Sequence, residues 1–228
     1  MPSKTTRHLI SKLIPHEIPI LLESIRLRTN GHPGIGNPLS LLDVPPDNIR
    51  WHISTSDIGK NFPKTALISD GDWDKKCTIF DKNPIYRAFI EHFKHGVPWE
   101  ETETFEAVFG NQNNWEKDAE FYDNLYIDIK HNGYRTQSER PLFAKLRKPV
   151  LPEIQICIGR DGRIIEKHGQ HRLAIAKILD LESVPVWVRI RHVQWQAIRD
   201  RVWNAESIYD LDQEAKDNLS HPDIKHIL

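Results

Sequence analysis

The segment HGQHR, residues 168–172, places a glycine and several polar side chains directly before an apolar helical run. A helix begins with unpaired main-chain N–H groups and the positive end of its dipole, so this position suits an anion. Gly169 permits a tight turn and lacks the Cβ that would block a ligand. Beside Gln170, the side chains of His171 and Arg172 add donors, and an arginine can bind phosphate oxygens through two nitrogens. The segment predicts a phosphate-binding loop; the alternative is a well-capped helix with a surface arginine.

A second polar cluster, GDWD at 71–74, could supply carboxylates for phosphoryl chemistry. Hydrolysis or phosphoryl transfer needs Mg²⁺ and a group that acts as a base or orients water. Asp72 and Asp74 are the candidate catalytic residues and Mg²⁺ ligands, and Glu166 is a third catalytic candidate. The Trp73 ring could stack on a base. The alternative is a turn in which the aspartates bond their own backbone.

The histidines and cysteines give little support for another metal or a redox group. Glu166, His168 and His171 could suggest a metal site, with His192 as an extra ligand. His168 and His171 straddle the predicted turn, however, and do not share a helix face. The sequence has no HExxH or Cys/His framework, and its two cysteines are far apart. We expect no zinc and no redox cofactor.

The segment RPLFAKLRKP, residues 140–149, is rich in arginine and lysine. It could contact the phosphates of DNA or of a nucleotide. The alternative is an ordinary solvated loop.

The elements around the loop can be predicted from periodicity. Alternating isoleucines indicate a strand at 154–158, Asp161-Gly162 is typical of a hairpin turn, and RIIEK (163–167) is the return strand. A helix follows over 172–180. The strand at 184–190 should carry its four alternate apolar residues on one face.

The earlier elements are predicted from spacing and capping residues. Residues 1–30 suggest an amphipathic packing helix, and 49–55 suggest a strand. A helix over 83–95 is capped by Asn83, and another should run from 115 to Gly133. This order predicts an α/β (α+β) fold.

The domain organisation predicted from these elements has three parts. They are an N-terminal helical extension (1–39), a domain (40–195) with a helical insertion at about 80–132, and a C-terminal helical tail (196–228).

The overall composition is that of an ordinary globular protein. The 31 Lys and Arg balance 32 Asp and Glu, which argues against a surface coated entirely by nucleic acid or membrane. No run is long and apolar enough to cross a bilayer. We expect a cytoplasmic protein without a membrane partner.

Two segments resemble known sequences. DNLYIDIKHNGYRTQ (123–137) is similar to the ParB pattern of a helix ending in glycine, here Gly133, with glutamine four residues on, here Gln137. DGRIIEKHGQHRLAIAKILDLESVPVWV (161–188) resembles the core of the ParB/sulfiredoxin superfamily, with its motif Gly-x-His/Arg-Arg-x-x-Ala. The resemblance implies a ParB/sulfiredoxin-like mixed sheet that binds a nucleotide or phosphate. It brings Gln137, with Arg135 just upstream, near the ligand.

Departures from the superfamily pattern limit the activity that the resemblance implies. Sulfiredoxins have cysteine where this chain has Gln170, so sulfiredoxin chemistry lacks its nucleophile and is excluded. About forty residues follow the core, too few for the DNA-binding and dimerisation modules of partitioning ParB proteins. His168 replaces the aspartate of many kinase-like members.

The sequence therefore predicts a protein that binds a nucleotide such as CTP or ATP. Turnover of that nucleotide, by hydrolysis or phosphoryl transfer, is left open by the sequence, and Asp72 or Asp74 would then hold Mg²⁺. A DNA-binding or nuclease-type ParB-like protein is the alternative, and a non-catalytic regulatory module is the second.

Overall fold

A mixed sheet of seven strands lies at the centre of the computed structural model, which describes residues 17–54, 66–110, 114–136 and 153–228. The strands in these residues are β1 (Leu41–Val44), β2 (Ile49–His52), β3 (Ile68–Ser69), β4 (Thr78–Ile79), β5 (Ile154–Ile158), β6 (Ile164–His168) and β7 (Val184–His192).

Eight α-helices occur in the same described ranges. They are α1 (Glu17–Thr29), α2 (Pro84–His95), α3 (Phe105–Phe109), α4 (Trp115–Asn132), α5 (Gln170–Ile178), α6 (Val193–Asn204), α7 (Gln213–Asp217) and α8 (Pro222–Lys225). The predicted α/β fold class is confirmed.

The strand order in the sheet is β1-β7-β5-β6-β2-β4, and β3 also pairs with β7. The directions of the strands decide at which edge of the sheet each strand ends. β5 and β7 are parallel to each other, as are β2 and β6, while β5 and β6 are antiparallel. The carboxyl ends of β2 and β6 therefore lie at one edge, with the amino end of β5. The carboxyl ends of β3, β5 and β7 lie at the opposite edge.

Helix α2 shows why the local predictions succeed. The side chain of Asn83 accepts hydrogen bonds from the N–H groups of Ile85 and Tyr86, Pro84 takes the first helical position, and Gly96 ends the helix with φ at 70°. Helix α4 likewise ends at Gly133. Helices α2, α3 and α4 occupy the segment that was predicted as a helical insertion.

The hairpin β5–β6 has the predicted turn, with Gly162 at φ 80°. The prediction that four alternate apolar residues of β7 share a face is wrong at its last member. Val188 pairs with Ile156, but Ile190 pairs with Cys157, so β7 contains one extra residue at Arg189. This bulge turns Ile190 to the opposite face of the sheet, where it packs with Cys157.

The main core lies between the sheet and helices α5 and α6. Residues of the C-terminal segment, Leu211, Ala215 and Ile224, belong to that same core. The predicted limit at residue 195 lies inside α6, so the tail packs on the sheet as part of one core. The aromatic side chains of α2, α3 and α4 form a second core against α5.

Candidate functional site

The start of α5 lies at the edge of the sheet where β2 and β6 end. Gly169 follows β6 directly and adopts a left-handed conformation with φ at 99°. A Cβ at this position would lie 2.9 Å from Cα of Ile154, the first residue of β5. Both the dihedral angle and the close approach therefore require glycine here.

The first turn of α5 has donors that the described residues leave unpaired. The main-chain N–H of Leu173 donates to the carbonyl of Gly169 at 3.0 Å, which closes the first helical bond. Within the described chain, the N–H groups of Gln170 and Arg172 have no acceptor, and no side chain caps this helix. These donors stand at the positive end of the helix dipole, as an anion site requires.

The remainder of α5 holds this turn rigidly. Leu173, Ala174, Ile175 and Ala176 are completely buried, between the sheet core on one side and the aromatic helices on the other. The prediction of a buried helix behind a polar start is confirmed.

Gln170 connects the start of α5 to the start of α2. Its Oε1 accepts a hydrogen bond of 3.0 Å from Nδ2 of Asn83, the residue that caps α2. The starts of the two helices are thus linked through their polar side chains.

His171 packs among aromatic rings. Its imidazole stacks on Tyr122 with ring centroids 4.6 Å apart and lies 5.6 Å from the ring of Phe89. The ring therefore joins α5 to α2 and α4, in place of the expected open position beside a phosphate.

Arg172, which was expected to bind phosphate, is only 3% exposed, and its guanidinium is already hydrogen-bonded within the protein. Nη2 donates to the main-chain carbonyl of Arg135 at 2.7 Å, and Nη1 donates to Oε2 of Glu153 at 3.2 Å. Its Cζ lies 4.1 Å from the ring centroid of Tyr134. Arg172 is a brace between the end of α4 and the start of β5.

Arg135 and Gln137 were also expected to lie near the ligand. The guanidinium of Arg135 pairs with Asp128, and Arg135 offers its carbonyl to Arg172. Gln137 lies outside the described residues, as does the basic segment 140–149.

A histidine and a glutamate that no local sequence pattern joins meet at this edge. His52, the last residue of β2, is opposite Glu166 of β6, and its Nδ1 is 2.5 Å from Oε2 of Glu166. Glu166 is completely buried, and its Oε1 has no partner within the described part of the chain. About a fifth of the His52 side chain, 22%, remains exposed. The strand patterns of β2 and β6 were visible in the sequence, but their pairing was not.

Asp72 and Asp74, the predicted Mg²⁺ ligands, are both hydrogen-bonded to Arg160. The Arg160 guanidinium lies 2.8 Å from Oδ1 of each aspartate, and its main-chain N–H donates to Asp74 at 2.9 Å. Burial alone would raise the pKa of Asp74, but these hydrogen bonds lower it to about 2. Arg160 follows β5, so this cluster lies at the edge of the sheet opposite Gly169.

The neighbours of this acidic cluster are structural as well. Trp73 is 6% exposed and packs in the smaller core with Cys157, rather than offering a ring to a base. His192, at the end of β7, bonds the carbonyl of Gly71 through Nε2 at 3.0 Å. The described residues contain no group of three or more His, Cys, Asp or Glu side chains arranged to hold a metal ion.

No family model, no curated protein and no solved structure matches this chain. None of the helices in the described ranges is long and apolar enough to cross a membrane.

Proposed function

We propose that this protein binds the phosphate group of a nucleotide, such as CTP or ATP, at the first turn of α5, and hydrolyses the nucleotide or transfers its phosphoryl group. The observation that carries the proposal is the pair of main-chain N–H groups of Gln170 and Arg172, which lack acceptors among the described residues. The left-handed Gly169 leaves the approach to them free of a Cβ.

The donors proposed here are main-chain groups rather than the side chains of His171 and Arg172. The buried body of α5 fixes their direction, so binding does not require ordering of long side chains. Mg²⁺ bound with the nucleotide stays part of the proposal. Asp72 and Asp74 are less suited to that ion, because Arg160 already pairs with both carboxylates and Lys75 also pairs with Asp72.

The family and the location belong to the same proposal. The motif at 169–176 and the order hairpin, helix, strand support a domain of the ParB/sulfiredoxin type. The free cysteines Cys77 and Cys157 suit a reducing cytoplasm.

A thermal-shift assay with a panel of nucleotides, with and without Mg²⁺, tests the proposal. Saturation at a hundredfold over the dissociation constant stabilises a protein by ~2.7 kcal/mol. The informative variant is Gln170→Glu, because glutamate keeps an acceptor for Asn83. A negative charge in the first turn favours the helix by about 0.3–1 kcal/mol while it repels phosphate. We expect an unchanged or higher melting temperature without ligand, and loss of the nucleotide-induced shift.

The matched control is Gln194→Glu, which puts the same charge on an exposed residue in the first turn of α6. This variant should keep the full nucleotide-induced shift. If Gln170→Glu also keeps it, the first turn of α5 does not bind the phosphate. If nucleotides cause no shift but short DNA duplexes do, the DNA-binding alternative replaces the proposal.

A further inference from the structure

The His52 ring contacts two of the described residues, Glu166 and Phe80. Oε2 of Glu166 accepts a hydrogen bond from Nδ1 of His52, and Phe80 makes an edge contact with the ring, with centroids 6.4 Å apart. In the described part of the chain, Nε2 of His52 has no hydrogen-bond partner. Because the ring is partly exposed, a small molecule in solvent can reach it.

A carboxylate at Nδ1 has a definite chemical effect on an imidazole. It holds the proton on Nδ1, so the lone pair stands on Nε2, and it stabilises the imidazolium that forms when Nε2 takes up a proton. Glu166 is suited to this because it is buried and cannot turn away to solvent. The pair has the arrangement of a general base and the residue that orients it.

The pair and the start of α5 lie on one face of the sheet. Glu166 is opposite Ile156, and Ile156 shares the main core with Leu173 of α5. Glu166 precedes Gly169 by three residues, a distance of about 10 Å along a strand. A phosphate bound at the first turn of α5 would thus lie on the same face of the sheet as His52 and at the edge where β2 and β6 end.

We infer that His52 is the catalytic general base for turnover of the bound nucleotide and that Glu166 is its positioning residue, an inference that rests on the proposed function. In this step Nε2 takes the proton from a water molecule or a substrate hydroxyl as that oxygen forms its bond to phosphorus. The bond from phosphorus to the bridging oxygen breaks, and its electron pair leaves with the nucleotide product. The proton passes from the imidazolium to that product or to solvent.

The test compares nucleotide affinity with single-turnover phosphate release in the full chain. His52→Asn retains an amide nitrogen near the position of Nδ1, so it can still donate to Glu166, but it has no base at the position of Nε2. We expect unchanged affinity and a 10²–10⁴-fold slower release, the range typical of general-base catalysis. Glu166→Gln should also keep the affinity and lower the rate. In His52→Gly, added imidazole should restore part of the rate.

The matched control is His131→Asn, because His131 is an exposed histidine whose Nδ1 bonds only a carbonyl of its own helix, that of Ile127. It should release phosphate at the wild-type rate. Melting temperatures of all variants exclude loss of folding as the cause.

The outcomes separate this inference from the proposed function. If the wild-type protein binds no nucleotide, both fall. If it binds a nucleotide but releases no phosphate, or if His52→Asn releases phosphate normally, the role of His52 is overturned and the binding proposal stands. If His52→Asn loses affinity instead of rate, His52 is not the base.

Discussion

Asp223 holds Arg191 by two buried hydrogen bonds, from Nε at 2.9 Å and from Nη2 at 2.6 Å. A second buried arginine, Arg199, pairs with Oδ1 of the same aspartate at 2.8 Å, and the indole nitrogen of Trp195 donates to Oδ2 at 2.9 Å. One carboxylate from α8 therefore joins β7 to α6. This charge network ties the C-terminal segment to the sheet.

Asp223→Asn should be among the most damaging single substitutions in this chain. Removal of the negative charge leaves two buried guanidinium groups without their counter-ion, and breaking a buried pair costs about 3–5 kcal/mol. Denaturation in urea should show this loss. The control, Asp210→Asn, changes an exposed aspartate and should stay within about 0.5 kcal/mol of wild type. A fully stable Asp223→Asn protein would show that the network contributes little.

Gly162→Ala should destabilise the protein more than a left-handed backbone alone explains. Gly162 has φ 80°, and a Cβ there would lie 2.6 Å from Cζ3 of Trp195. Gly96→Ala provides the comparison, because Gly96 has φ 70° and open space around the added Cβ. We expect a loss of about 1–2 kcal/mol at Gly96, from the dihedral angle. The loss at Gly162 should be clearly larger by chemical denaturation; equal losses would mean that the Trp195 ring moves aside.

The same turn shows what a sequence can predict. Asp161-Gly162 identifies the hairpin because the left-handed dihedral angle is a local requirement. The contact of Gly162 with Trp195 joins residues that are distant in the chain, so no local pattern reveals it. The helix starts at Asn83 and Gly169 were likewise predictable, since capping and turn chemistry lie within a few residues.

The candidate site was only partly predictable for the same physical reason. The donors of α5 follow from a glycine before an apolar helix. His52 and Glu166 lie 114 residues apart, and only the pairing of β2 with β6 brings them together. Arg172 has the residue type of a phosphate ligand, but tertiary contacts with Glu153 and Arg135 engage it.

Asp74 should make stability depend on pH in acid. Its pKa falls from an ordinary 3.8 to about 2 in the folded protein, where Arg160 outweighs the effect of burial. A lowered carboxyl pKa stabilises the fold fully above the unfolded value and loses that effect as the pH falls through the folded value. The free-energy difference between wild type and Asp74→Asn should therefore be largest above about pH 5 and shrink towards about pH 2.

Urea denaturation at several pH values measures this difference. Gly96→Ala is the control, because its destabilisation comes from a backbone dihedral angle and involves no proton. The difference in its free energy of unfolding from wild type should therefore not shrink between about pH 5 and about pH 2. A difference for Asp74→Asn that is constant across the acid range would contradict the role given to the Arg160 pair.

Arg172→Lys distinguishes a brace from a phosphate ligand. Lysine keeps the positive charge but cannot reach Glu153 and the carbonyl of Arg135 together, and it lacks the flat group that lies over Tyr134. Hydrogen bonds to charged groups contribute about 1.5–3 kcal/mol, so we expect a loss of that order in urea denaturation. Arg87→Lys, in an exposed pair with Glu103, should change stability by at most about 1 kcal/mol. A stable Arg172→Lys protein with weakened nucleotide binding would restore Arg172 as the phosphate ligand and remove the case for a structural brace.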